Sequence, residues 1–166
     1  MTNNDLVPLD PHTFGEQQMC FGCGPNNRTG MGLKFFRDGD EVVTTFRAKE
    51  GWEGPPGIVH GGLQATLADE VGAWTLVGLR NRFGFTASMQ LRYYRPARMT
   101  DEVEARGSIV EETDRMAVVK VTLRQDGKRI VSGKISYVTP TQKMAEKMLG
   151  FELPEEWASM TRAEED

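Results

Sequence analysis

Two carboxylates, Asp69 and Glu70, stand side by side in an otherwise uncharged stretch that begins at a His60-Gly61-Gly62 triplet. A carboxylate can take a proton from water or attack a carbonyl carbon itself. Free backbone N–H groups at a glycine-lined helix start can hold the negative charge that then develops on oxygen. Neighbours in sequence point about 100° apart on a helix, so Asp69 and Glu70 cannot serve as a same-face acid and base pair. Asp69 is the candidate, because Ala65, Ala68, Gly72, Ala73 and Leu76 share its side. A charge among small apolar residues is costly unless it is paired, hydrogen-bonded or functional. Composition alone leaves two readings open, a structural hydrogen bond in a subunit interface and a catalytic role. His60 by itself reads equally as a cap and as a site residue, and Gly61 and Gly62 equally as donors and as close-packing positions.

These residues need a helix to carry them. Leu63 to Leu79 has no proline and is rich in Ala and Leu, so it predicts one long helix. Leu63, Leu67, Val71 and Trp74 fall within about 80° of one another and form its core stripe, beside which Glu70 lies. The opposite side is also apolar, so both sides are expected to be covered. Gly51 to Gly57 is a Gly- and Pro-rich loop that delivers the chain to His60.

Around the helix, Leu33–Arg37 and Glu41–Lys49 are β-prone runs split by Asp38-Gly39, a hairpin signal. Thr86–Tyr94, Glu102–Glu112, Met116–Gln125 and Arg129–Thr139 follow, with Arg95-Pro96-Ala97, Thr113-Asp114-Arg115 and Asp126-Gly127-Lys128 between them. Such short links predict antiparallel pairing. The fold class is α+β, one helix against an antiparallel sheet of five or six strands. Residues 1–30 read as an irregular lead-in, 31–140 as the domain, and 141–166 as a short amphipathic helix (Met144, Met148, Leu149) with an acidic tail.

Composition narrows the function. The chain has 166 residues and a net charge of −4 with no basic cluster, which argues against a nucleic-acid module. No apolar run spans a bilayer, and Met1–Asp5 lacks a basic region leading into an apolar stretch. The expected location is therefore cytoplasmic. Two cysteines, Cys20 and Cys23, cannot make a disulfide framework. With only His12 and His60 present, a zinc site would have to draw on distant ligands, so no metal is expected. The pair reads as buried thiols or as a redox-sensitive couple.

The run Gly57-Ile58-Val59-His60-Gly61-Gly62-Leu63-Gln64-Ala65-Thr66-Leu67-Ala68-Asp69-Glu70 resembles the signature of the hot-dog-fold acyl-CoA thioesterases, in the His-Gly-Gly branch of phenylacetate-pathway and mammalian mitochondrial enzymes. Arg92-Tyr93-Tyr94-Arg95-Pro96-Ala97 is similar to the end of the strand that follows in that family, and Cys20-Phe21-Gly22-Cys23-Gly24-Pro25 to its lead-in. The resemblance covers about residues 20–140 and implies hydrolysis of an acyl-CoA thioester to a carboxylate and free CoA, without a cofactor. It implies that Asp69 is base or nucleophile, that the Gly61 N–H polarises the carbonyl with Gly62 beside it, that Thr86 positions the water or the carboxylate, and that His60 lines the site. It departs at Gly54, where several relatives carry an Asn near the acyl carbonyl.

The resemblance also implies a homodimer, or a dimer of dimers, with each site built from the Gly61 end of one chain and Asp69 of the other. Such a partner would cover the small-residue face. Coenzyme A is polyanionic, and Arg92, Arg95 and Arg98, with Arg82, are the candidate phosphate ligands. Trp52, Trp74, Phe83 and Phe85 are candidates for lining an acyl pocket. A non-catalytic acyl-CoA or lipid-binding module of the same fold is the alternative. A hydratase would need an Asp-His pair that this motif lacks.

Overall fold

His60 opens the central helix and Asn81 closes it. In the computed structural model, which describes residues 6–164, the His60 ring nitrogen Nδ1 accepts the N–H of Gly62 at 3.0 Å, and Asn81 takes the left-handed conformation with φ 50°. Met1–Asp5 and the last two residues of the acidic tail lie outside the described part. Two short strands precede the helix-forming half of the chain, β1 (Val7–Pro8) and β2 (Phe36–Asp38), followed by β3 (Glu41–Phe46) and then the helix α1 (Gly61–Arg80). After it come β4 (Phe85–Tyr93), β5 (Val103–Glu112), β6 (Met116–Gln125) and β7 (Lys128–Val138), and the chain ends in α2 (Gln142–Leu149) and α3 (Glu155–Ala158).

All strands of the described residues join one antiparallel sheet in the order β1-β2-β3-β5-β6-β7-β4. The sheet thus has seven strands where five or six were expected. The extra one is β1, which comes from the lead-in and pairs Val7 with Arg37. β2 and β3 are joined through Gly39-Asp40, with Gly39 at φ 61°, one residue later than the Asp38-Gly39 expectation. Asp126-Gly127 makes the β6–β7 turn, both residues at positive φ, as the preferred two-residue hairpin turn requires.

One pairing differs from expectation. The link after β4 does not fold it back on β5, because Val59 N–H bonds Ala97 O (2.9 Å) and Met99 N–H bonds Gly57 O (3.0 Å), which ties that segment to the loop before α1. β4 instead crosses to the far edge and pairs with β7.

Inward residues of the strands meet the helix. Ala117, Val119, Val121 and Leu123 of β6 and Val131, Ile135 and Tyr137 of β7 are fully or almost fully buried, as are Leu67, Ala68, Val71 and Leu76 of α1. Burial of each Val or Leu contributes roughly 1.5–3 kcal/mol before entropy is counted. The side of the helix carrying Ala68, Gly72 and Leu76, expected to await a second subunit, is largely covered by this chain's own sheet. The hydroxyl of Tyr137 lies where a Gly72 Cβ would be, 2.2 Å away.

Candidate active site

The first turn of a helix has N–H groups with no partner inside the helix, and here most are used locally. Gly62 N–H goes to the His60 ring, and those of Leu63 and Gln64 to His60 O at 3.0 and 3.2 Å. The Gly61 N–H is left without a partner among the described residues. Gly61 O accepts the hydroxyl of Tyr93 at 2.9 Å, which pins the end of β4 to the start of α1. Gly62, expected near substrate, spends its donor on the cap. Gly54 lies beside His60, where an added Cβ would stand 3.6 Å from the His60 Cα and ring. The Gly51–Gly57 loop is folded on itself by Gly54 N–H to Ile58 O (2.9 Å) and Gly57 N–H to Glu53 Oε2 (2.6 Å).

Two turns along the helix, Asp69 is held by hydroxyls from two strands. Thr86 Oγ1 donates to Asp69 Oδ1 at 2.8 Å, and Tyr137 donates to the Asp69 backbone oxygen at 2.9 Å and lies 3.3 Å from Oδ1. Thr86 and Tyr137 are direct cross-strand partners in the β4–β7 register, so pairing of the two strands sets both donors at once. Burial first, and the Asp69 charge second, push the Tyr137 hydroxyl far above its ordinary range. It stays protonated and remains a donor. The pattern leaves Oδ2 free of partners among the described residues, so Asp69 presents one oriented oxygen for chemistry.

Thr86 was legible in the sequence; Tyr137 was not. A tyrosine alternating with Ile135 on an inward strand face reads as core, and only the strand register shows its hydroxyl reaching Asp69. Glu70 points to Cys20, whose Sγ lies 3.2 Å from Glu70 Oε1, and takes no part in the Asp69 cluster.

The arginines divide. Arg95 and Arg98 line a cavity of about 270 Å³ with Lys128 and Asp126, and Arg98 sits in a bridge with Ile58 of the loop before His60. Arg92 opens instead on a separate cavity of about 360 Å³ with Lys120 and Lys134. The four aromatic candidates do not line one pocket. Trp74 stacks on Phe35, Trp52 on Phe46, and Phe83 packs edge-on to both Phe85 and Trp157. Each is used in packing because large rings fill gaps between layers.

Residues 56–132, which hold His60, Gly61, Asp69 and Thr86, match the family model described as the thioesterase superfamily. A mouse relative, acyl-coenzyme A thioesterase 13, is 26% identical over 98 residues, which is 57% of this chain and 70% of that protein. A solved thioesterase superfamily protein superposes with a TM-score of 0.63 at 28% identity, covering 69% of this chain but only 57% of the other. A hypothetical thioesterase from Streptococcus pneumoniae, solved with coenzyme A, gives 0.57 at 23% identity, covering 62% of this chain and 83% of that one. The fold is therefore the hot-dog architecture of these thioesterases, one long helix packed on an antiparallel sheet. Among the described residues no helix is long and apolar enough to cross a membrane.

Proposed function

We propose that this thioesterase domain hydrolyses acyl-CoA thioesters to a carboxylate and free CoA, with Asp69 as the catalytic carboxylate. The observation that carries the reading is the double hold on Asp69 by Thr86 and Tyr137. Thr86 fixes one carboxylate oxygen, Tyr137 holds the backbone carbonyl of the same residue, and the second carboxylate oxygen is left for water or for the thioester carbon. The unused Gly61 N–H, at the positive end of α1, stabilises the oxyanion.

Gly61 and Asp69 of one chain stand eight residues apart on a single helix, about 12 Å along its axis. One carbonyl cannot meet both. A site that uses both groups takes Gly61 from one protomer and Asp69 from its partner, so the active form is a homodimer, alone or paired again. The nine-residue edge strand β4 is the surface for that assembly, since an open edge invites a second copy.

Arg95, Arg98 and Lys128 suit the phosphates of CoA, and their cavity adjoins the loop that leads to Gly61. The mouse relative's name and the CoA in the Streptococcus pneumoniae structure support this choice of substrate. The test is thiol release from short, medium, long and aromatic acyl-CoAs, with Asp69→Asn alongside. Turnover should fall about 10²-fold or more in the variant while its circular dichroism is unchanged. Binding without turnover by the native protein would replace the enzyme with a sensing module, and full activity in Asp69→Asn would remove Asp69 from the chemistry.

A further inference from the structure

On the flank of α1 reached by Glu70, the lead-in builds a second cluster that the hydrolysis does not use. Cys20 and Cys23 sit in one tight turn closed by Gly24 N–H to Cys20 O at 3.0 Å. The residues between them are fixed by Met31 N–H to Phe21 O (2.7 Å) and Leu33 N–H to Gly22 O (3.0 Å). Their two sulfurs and a Glu70 carboxylate oxygen lie within 4.8 Å of one another. Two glycines make this possible. A Cβ on Gly22 would stand 2.2 Å from Glu70 Cδ, and one on Gly24 would stand 2.6 Å from the Cys20 backbone.

Cys20 is partly exposed and Cys23 is buried, and both open on a cavity of about 210 Å³ walled by Phe14, Trp74 and Trp157. A partly exposed thiol in front of a buried one is the order that dithiol exchange needs, attacker outside and resolver inside. A closed zinc site takes four protein donors. Among the described residues no fourth His, Cys, Asp or Glu joins these three.

We propose that Cys20 and Cys23 form a reversible dithiol/disulfide site for small-molecule disulfides, with Glu70 as its proton carrier. The Cys20 thiolate attacks one sulfur of RSSR, the S–S bond breaks, and RS⁻ leaves, protonated by the Glu70 carboxyl to RSH. The Glu70 carboxylate then takes the proton of Cys23. The Cys23 thiolate attacks Cys20 Sγ of the mixed disulfide and expels the second RS⁻, to which Glu70 returns that proton. The sum is dithiol plus RSSR giving protein disulfide plus two RSH, with the protein oxidised by two electrons and RSSR reduced by two.

The electrostatics agree with this assignment. The hydrogen bond from Cys23, ahead of smaller contributions including one from Glu70, holds the Cys20 thiol down to about 5. Burial, and then the charge of Cys20, pushes Glu70 up to about 8. Cys23 is pushed up, first by its bond to Cys20. At neutral pH the nucleophile is thus ionised and the carboxyl carries a proton.

The full chain, reduced and then freed of reductant, is exposed to oxidised glutathione and followed by intact mass and by thiol alkylation. The expected product has lost two hydrogens and both alkylatable thiols, with no glutathione retained. Cys23→Ser, and Cys23→Ala as a second version, should stop at a glutathione adduct on Cys20, while Cys20→Ser should stay unmodified. Glu70→Gln should slow disulfide closure about tenfold or more and flatten its dependence on pH near neutrality. Native protein whose thiols stay unreacted, or that keeps the adduct without closing, overturns the proposal. So does a tightly held zinc ion that shields both thiols until a chelator removes it. None of these readouts uses thioester turnover, so the outcome is independent of the activity proposed above.

Discussion

Asp69 shows how a charged group can sit on a mostly buried helix without being wasted. Its carboxylate receives a hydroxyl from an exposed strand residue, Thr86, and faces another from the buried Tyr137. The two donors have different consequences. Thr86→Ala removes the shorter bond to Oδ1 and should lower kcat about tenfold with little change in KM, measured by thiol release. Such a bond contributes about 1.5–3 kcal/mol when the acceptor is charged. Tyr137→Phe removes the hydroxyl bonded to the part-buried Asp69 carbonyl and should cost about 0.5–1.5 kcal/mol of stability in urea unfolding. Because Tyr137 is already held protonated far into the alkaline range, the same variant should lower the pH–rate profile without changing its shape. Asp69 and Thr86 could be found in the sequence, Asp69 as a charge in apolar company and Thr86 through a family likeness. Tyr137 could not, since nothing local distinguishes a core tyrosine from one whose hydroxyl is aimed.

At the scale of elements, the helix and the hairpins were legible because each is written locally, in an apolar stretch without proline and in glycine-bearing turns. The helix begins at Gly61 and ends at Arg80, a little beyond the Leu63–Leu79 expectation at each end, because His60 and Asn81 extend it as caps. The place of β4 was hidden. Its position at the edge beside β7 depends on contacts between distant segments, which no short window contains. The closeness of α1 to β7 carries its own prediction. Gly72→Ala puts a methyl group against the Tyr137 hydroxyl, in a site too tight to absorb it. The variant should lose about 1–3 kcal/mol in thermal or urea unfolding, and its kcat should fall with that of Tyr137→Phe. An unchanged melting curve would mean that the helix can move off the sheet at no cost.

The molecule as a whole is half of the proposed catalyst. Proline is well tolerated at the first position of a helix, where its missing N–H costs no intrahelical bond, and His60 already has the extended ψ of 133° that a residue before proline prefers. Gly61→Pro therefore removes the proposed oxyanion donor while keeping the helix. Gly61→Pro and Asp69→Asn homodimers should each lose about 10²-fold or more in turnover. Co-expressed, they should form mixed dimers in which one site has both groups intact, and activity should return to a sizeable fraction of native. Failure of the mixture to recover, with light scattering showing a dimer, would overturn the site shared between two chains. The proposed two-chain site comes from family likeness and from the spacing of Gly61 and Asp69, because a sequence describes one copy.

The route of β4 through the sheet bears on when this protein becomes competent as it is made. Asp69 and Thr86 leave the ribosome early, yet among the described residues β4 finds its one neighbouring strand in β7, which ends at Val138. Until that last strand is synthesised, Tyr137 is absent and Thr86 belongs to an unpaired ribbon. Distant pairings of this kind close late and slowly. The proposed site is thus incomplete until β7 has been made, and in refolding the return of turnover should trail the return of helical signal.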